Sequence, residues 1–95
     1  MHWNELTSMD QLELLEIQSQ IQPVLIFKHS TRCSISRFAL KLFENEFDLQ
    51  DKIAPYFLDL LNHRDISNEI AFQFNVHHQS PQILLLKNRA VEYHT

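Results

Sequence analysis

The sequence predicts an α/β fold built around a mixed sheet, and three observations carry that prediction. Two short, continuous apolar runs, "PVLIF" and "QILLL", have the length and composition of strands buried on both faces. Stretches with helical spacing alternate with such runs along the chain. The last two strand-like runs, "PQILLLK" and "AVEYHT", follow one another with only a turn between them, which argues for an antiparallel edge.

Each element has its own justification. A short "HWNEL" opens the chain as a first strand. In "TSMDQLELLEIQSQI", Met9, Leu12, Leu15 and Ile17 recur at helical spacing, and Ser8 with Gln11 resembles a capping box. Pro23 to His29 reads as a buried strand. "SISRFALKLFENEF" carries Ile35, Phe38, Ala39, Leu42 and Phe43 in an i, i+3, i+4, i+7, i+8 stripe, predicting an amphipathic helix capped by Ser30 or Thr31. Tyr56 to Leu61 follows Pro55 as a second buried strand. "DISNEIAFQFN" spaces Ile66, Ile70 and Phe74 four apart, and Asp65 or Ser67 is its expected cap. The closing hairpin turns around Asn88, a residue that tolerates the left-handed region. The resulting order, (β)αβαβαββ, is that of a thioredoxin-like three-layer sandwich with a mixed central sheet. Other small α/β sandwiches share it.

At 95 residues the expectation is a single domain, 1–95. A hydrophobic fraction of 44% with 21% charged residues is an ordinary globular mix, and no apolar run has membrane-spanning length. The N-terminus lacks the order of a signal peptide, and one cysteine suits a reducing compartment, so a cytoplasmic location is expected. A net charge of -4 with scattered basic residues argues against nucleic acid as a partner. Glycine is absent, which excludes glycine-cradled phosphate loops and leaves positive-φ positions to Asn, Asp or a strained residue.

The chemistry turns on "HSTRCSIS", residues 29–36, which holds the only cysteine. A free cysteine is often inert core. Here Cys33 is expected to point away from the stripe centred on Ile35, Phe38 and Leu42, among polar neighbours. A first-turn side chain lies near unpaired N–H groups and the positive end of the helix dipole, and both stabilise a thiolate. Arg32 adds positive charge, and Thr31 and Ser34 flank the sulfur with hydroxyls. The thiolate is the nucleophile, so these residues favour a reactive thiol over a filler. Ser36, three residues on, is expected on the same face, able to donate a hydrogen bond to sulfur but not to form a disulfide.

Together "HSTRCSIS", "HRDISN" at 63–68, "VHHQSPQILLL" at 76–86 and the early "WNEL" resemble the YtxJ-like monothiol bacilliredoxins. That resemblance spans nearly the whole chain. It implies a thioredoxin fold and thiol–disulfide exchange: bacillithiol, or a similar small thiol, would be removed from protein mixed disulfides through a Cys33 mixed-disulfide intermediate. Bacillithiol would be a co-substrate, no cofactor would be bound, and the partners would be proteins carrying such disulfides. The resemblance also makes Ser36 the occupant of the resolving-cysteine position. It makes Pro81 a proline facing the nucleophile, usually cis, that presents the backbone of Ser80 to an incoming chain, with His78 at the rim of that groove. The family motif Cys-Pro-Ile-Ser stands here as Cys33-Ser34-Ile35-Ser36, and Ser34 restores an N–H beside the sulfur. Family members continue into a Ser-His segment and a final helix where this chain stops at Thr95. One face of the sheet is therefore expected to be less covered, or covered by a partner or a second copy, and the chain to be a monomer or weak homodimer. The family's hairpin glycine is replaced by "KNRAV".

Two other readings stand beside this one. A non-catalytic thioredoxin-fold binding module would use the Pro81 groove, or the uncovered face, without Cys33. A sensor would merely be capped by small thiols at Cys33. Six histidines invite a metal, but His77 and His78 are adjacent, and neither a second cysteine nor an H-x-x-x-H is present, so none is expected. His29 is placed to tune Cys33 electrostatically.

Overall fold

The computed structural model describes residues 3–30, 34–46 and 52–95, and for Ser34, Ile35 and Glu46 the backbone alone. Its elements run β1 (Asn4–Glu5), α1 (Asp10–Gln18), β2 (Val24–His29), α2 (Ser34–Glu46), β3 (Ala54–Asp59), α3 (Arg64–Gln73), β4 (Gln82–Lys87) and β5 (Ala90–His94). The predicted order holds. The five strands form one sheet in the order β1-β3-β2-β4-β5. β1 and β2 pair parallel to β3, whereas β4 pairs antiparallel to both β2 and β5.

Strand alternation sorts the side chains into two layers. Val24 and Ile26 of β2, Ala54 and Leu58 of β3, and Leu84 and Leu86 of β4 meet Leu12 and Leu15 of α1 and Ile66 and Ile70 of α3 in one aliphatic core. The opposite face is aromatic. Trp3 lies 5.9 Å from Phe27 and 6.0 Å from both Phe43 and Phe57, within the range where ring quadrupoles attract. Trp3 Nε1–H also donates to Glu44 Oε2 at 2.7 Å, tying the residue before β1 to α2.

Several expectations need correction. β3 begins two residues earlier than predicted and contains Pro55. The proline fits because its backbone oxygen points to the β1 side, where it accepts from Asn4 Nδ2 before β1 pairing begins at Tyr56, so a missing N–H breaks no ladder bond. In α1, Leu12 and Leu15 are buried but Met9 and Ile17 are exposed. The capping box is half formed: Gln11 Oε1 accepts from the Ser8 N–H, but the Ser8 hydroxyl also donates to Gln11 instead of capping the helix. Neither Asp65 nor Ser67 caps α3, whose N-cap position is His63 with no side-chain bond.

The largest correction concerns α2. Phe38 is 70% exposed and Leu42 51% exposed, so these two members of the apolar stripe point away from the sheet while Ala39 and Phe43 point toward it. The inward face runs instead through Ser36 and Phe43, with Ala39 lining a groove beside Phe27. The orientation expected for Cys33, argued from that stripe, loses its basis, and Cys33 itself lies outside the described residues.

Positive φ falls on Asn75, Asn88 and Arg89, as the lack of glycine requires. The β4–β5 turn places two consecutive residues there, the arrangement that matches strand twist. It is held from outside, because the N–H groups of Asn88 and Arg89 donate to the backbone oxygen and the hydroxyl of buried Ser19, each at 2.9 Å.

Candidate active site

Two connections leave the same end of the sheet, one after β2 and one before β4, and a buried side chain bonds across each. The first joins β2 to α2. Thr31, Arg32 and Cys33 lie outside the described residues, and Ser34 is described only as the first residue of the helix. Across this loop the Ser30 N–H donates to Ser36 Oγ at 3.1 Å, and Ser36 Oγ shares a 2.8 Å hydrogen bond with His29 Nδ1. Ser36 is fully buried. Its oxygen is thus bonded to the two residues that end β2 and start the loop. Burial lowers the His29 pKa, outweighing the nearby Asp59 carboxylate and the Ser36 backbone, so the ring is neutral at neutral pH. A neutral ring and a hydroxyl share a single proton in this bond, from either Ser36 Oγ or His29 Nδ1 according to tautomer. Phe57, 5.2 Å away, and Phe27, 6.1 Å away, wall the imidazole.

The second loop leads into β4. The Ser80–Pro81 bond is cis, as the resemblance implied, with Ser80 exposed and Pro81 half-buried. Pro81 borders a shallow groove with Phe27, Ala39 and Ile83, between the proline loop and α2. Buried Gln82 closes this loop by donating from Nε2 to the His77 backbone oxygen at 3.0 Å. Its Oε1 is buried without a hydrogen-bond partner among the described residues.

Beneath the loop sits a lysine. Lys28 is fully buried on the aliphatic side of β2, in register with Gln82 across the β2–β4 pair. Its Nζ donates to the Ser67 backbone oxygen at 3.1 Å and lies 3.4 Å from His78 Nδ1. The Ser67 hydroxyl is 3.3 Å from the same nitrogen. Desolvation lowers the Lys28 pKa to about 8, and it also lowers that of His78, helped by the charges of Lys28, His77 and Arg64.

Of the residues the sequence singles out, the structure describes His29, Ser36, His77, His78, Ser80 and Pro81 in full. It brings His78, Ser80 and Pro81 onto one loop and places Ser36 at the base of the other. Sequence reasoning missed the His29–Ser36 pair, the Lys28–Ser67–His78 cluster and the Gln82 clasp. Strand parity was the available signal: Lys28 and Gln82 share the parity of Val24, Ile26, Leu84 and Leu86. Among the described residues, no group of three or more His, Cys, Asp or Glu side chains is placed to hold a metal ion.

A cis-proline at the head of β4, beside the end of β2 that leads into α2, in a sheet of order β1-β3-β2-β4-β5 is the arrangement of a thioredoxin-fold protein of the thiol–disulfide class. Solved structures agree. A candidate oxidoreductase with a thioredoxin fold superposes with a TM-score of 0.82 at 33% identity, covering 96% of this chain and 79% of that one. Thioredoxins of Malassezia sympodialis (TM-score 0.76, 19% identity, 99% of this chain and 77% of that one) and Fasciola hepatica (0.74, 13%, 97% and 84%) share the fold. Within this class the chain belongs to the monothiol bacilliredoxins, because the family model described as monothiol bacilliredoxin BrxC matches residues 4–95. Its activity is thiol–disulfide exchange through a single cysteine, with a bacillithiol-type thiol as co-substrate.

Proposed function

We propose that Cys33 is the nucleophile that takes bacillithiol from protein mixed disulfides. The Cys33 thiolate attacks the bacillithiol sulfur, and the bond between that sulfur and the protein sulfur breaks. The protein leaves as a thiolate and takes up a proton. A Cys33–bacillithiol disulfide remains, and an external thiol resolves it, since Ser36 offers a hydroxyl and not a thiol. The observation that carries this reading is the position of the only cysteine in a matched bacilliredoxin, directly before the first residue of α2. Unpaired N–H groups at a helix start stabilise a thiolate. Arg32, Thr31 and Ser34 are its proposed tuning residues. Ser80, Pro81 and His78 are the proposed rim of the substrate groove, with Ser80 presenting its backbone to the incoming chain. The partners are proteins carrying mixed disulfides with a small thiol, met in a reducing cytoplasm. None of the helices is long and apolar enough to cross a membrane among the described residues.

Mass spectrometry after mixing with a bacillithiol-capped protein tests the reading. The adduct mass is expected on Cys33 and gone from the donor, with no transfer by Cys33→Ser. Alkylation of Cys33 should titrate below the free-thiol value of about 8.5. Absence of transfer, or a donor that binds without losing its adduct, overturns the exchange reading in favour of a binding module.

A further inference from the structure

The cluster under the proline loop has an unbalanced charge. Lys28 is a fully buried ammonium whose partners are both neutral, the Ser67 backbone oxygen and the His78 imidazole. A buried charge without a counter-ion is costly, and the cost falls if an anion settles nearby. The charged groups that act on His78 are Lys28, His77 and Arg64, and no carboxylate is among them. His77, His78 and the amide side chains of Asn68 and Asn75 line an open recess beside α3. Arg64 lies four residues before Asn68 on that helix, so the two share a face. The surface over the buried lysine therefore offers hydrogen-bond donors and positive potential together, and His78 relays the Lys28 charge to it. His78 is three residues from Pro81, a reach of at most about 10 Å along the chain.

We propose that Arg64, Asn68, His77 and His78, backed by Lys28, form a subsite for the carboxylate end of the small thiol being exchanged. The proposal rests on the exchange reading above and gives it a specificity element. Bacillithiol, whose malate end carries carboxylates, fits such a subsite; a small neutral thiol does not. The sulfur reacts at the nucleophile loop, while the carboxylates are held on the α3 side of the proline loop. No bond is made or broken at the subsite, so its residues position the substrate.

Two measurements decide it. In the first, L-malate is titrated into the intact protein at constant ionic strength while the His77 and His78 ring protons are followed by NMR. A saturable shift and a raised His78 titration midpoint are expected, weakened about tenfold by Arg64→Gln, as for loss of a charge-assisted contact. A response matched by chloride, or indifferent to Arg64→Gln, overturns the subsite. In the second, one protein is capped either with bacillithiol or with 2-mercaptoethanol, and the ratio of kcat/KM for the two donors is measured. Arg64→Gln should lower that ratio about tenfold, whereas Lys87→Gln, a charge change at the far end of β4, should leave it unchanged. An unchanged ratio in Arg64→Gln overturns the proposal. If neither donor is turned over by the unaltered protein, the exchange reading has failed, and the malate titration still decides whether the carboxylate site exists.

Discussion

Lys28 and His29 are consecutive residues at the end of β2, both buried, and they project to opposite faces of the sheet. His29 ends the aromatic face as a neutral ring, and its hydrogen bond to Ser36 ties β2 to the first turns of α2. Lys28 ends the aliphatic face as a cation bonded to the backbone of α3 and set against the proline loop. The strand's two-residue period thus delivers two different devices to the two loops of the site. One is an uncharged clasp that closes the loop carrying Cys33. The other is a charge held beneath the loop carrying Pro81. Geometry at the base of the proposed nucleophile's loop is separated from electrostatics at the proposed substrate rim by the thickness of one sheet.

The largest expected effect comes from removing the clasp. Ser36→Ala leaves the half-buried Ser30 N–H and the buried His29 Nδ1 without the partner they share, and the buried nitrogen left unpaired costs about 1–3 kcal/mol. Chemical denaturation should show the loss. Alkylation of Cys33 in the folded variant should slow as well, because the loop is no longer closed at its base. A variant as stable as the parent, with unchanged alkylation, would reduce Ser36 to a filler at the resolving position.

Both sides are expected to respond to pH, in different windows: the lowered His29 pKa costs stability as pH falls through the ordinary imidazole value of about 6.5, whereas Lys28 acts on the alkaline side. The Lys28 pKa stands at about 8 in the folded chain against an ordinary value near 10.5. Between those values the unfolded chain holds the extra proton, so stability rises as pH climbs from about 8 to about 10.5. Below about 8 both states are protonated and this contribution is flat. Lys28→Met should abolish the rise, and urea denaturation at several pH values measures it. A rise that survives in Lys28→Met would have to come from another group.

Much of this arrangement was legible before the structure and some of it was not. Element order followed from apolar runs and helical spacing, because burial imposes those periods whatever the neighbours are. The cis-proline came with a family resemblance that rests on several quoted segments, whereas the cap expected at Ser30 or Thr31 would start the helix too early, since α2 begins at Ser34, one residue past Cys33 in the sequence. Missed were the pairings that link residues far apart in the chain. Lys28 to Ser67 spans 39 positions and Lys28 to His78 spans 50, and no local pattern encodes such a meeting. Periodicity also gives a stripe without saying which way it faces. In α2 the polar Ser36 is buried because His29 and Ser30 satisfy it, and that demand rotates Phe38 outward.

Gln82→Leu is expected to have a smaller energetic effect with a larger functional one. The change removes a buried oxygen that has no partner and also a hydrogen bond to the His77 backbone, two consequences of opposite sign. Net stability should therefore move by less than about 1 kcal/mol. Transfer from a capped protein should still fall, because the proline loop loses its closure. A variant that is equally stable and equally active would show that the loop holds its shape without Gln82.

The smallest effect is expected on the outer face of α2, and it bears directly on how the two faces differ. If Phe38 and Leu42 packed as their stripe suggests, either truncation would cost what a core cavity costs, about 2–5 kcal/mol. Both side chains are more than half exposed, so Phe38→Ser and Leu42→Ser should each change stability by no more than about 0.5 kcal/mol. Leu84→Ala in the aliphatic core provides the contrast, since that side chain is fully buried. Denaturation midpoints of the three variants rank the faces. A loss of 2 kcal/mol or more in Phe38→Ser, as a core cavity gives, would mean that this side chain is covered in solution, and then dilution decides whether a second copy covers it. A value near zero leaves the aromatic face held by its inner rings, Trp3, Phe27, Phe43 and Phe57, with the outer stripe of α2 contributing solubility cost and no stability.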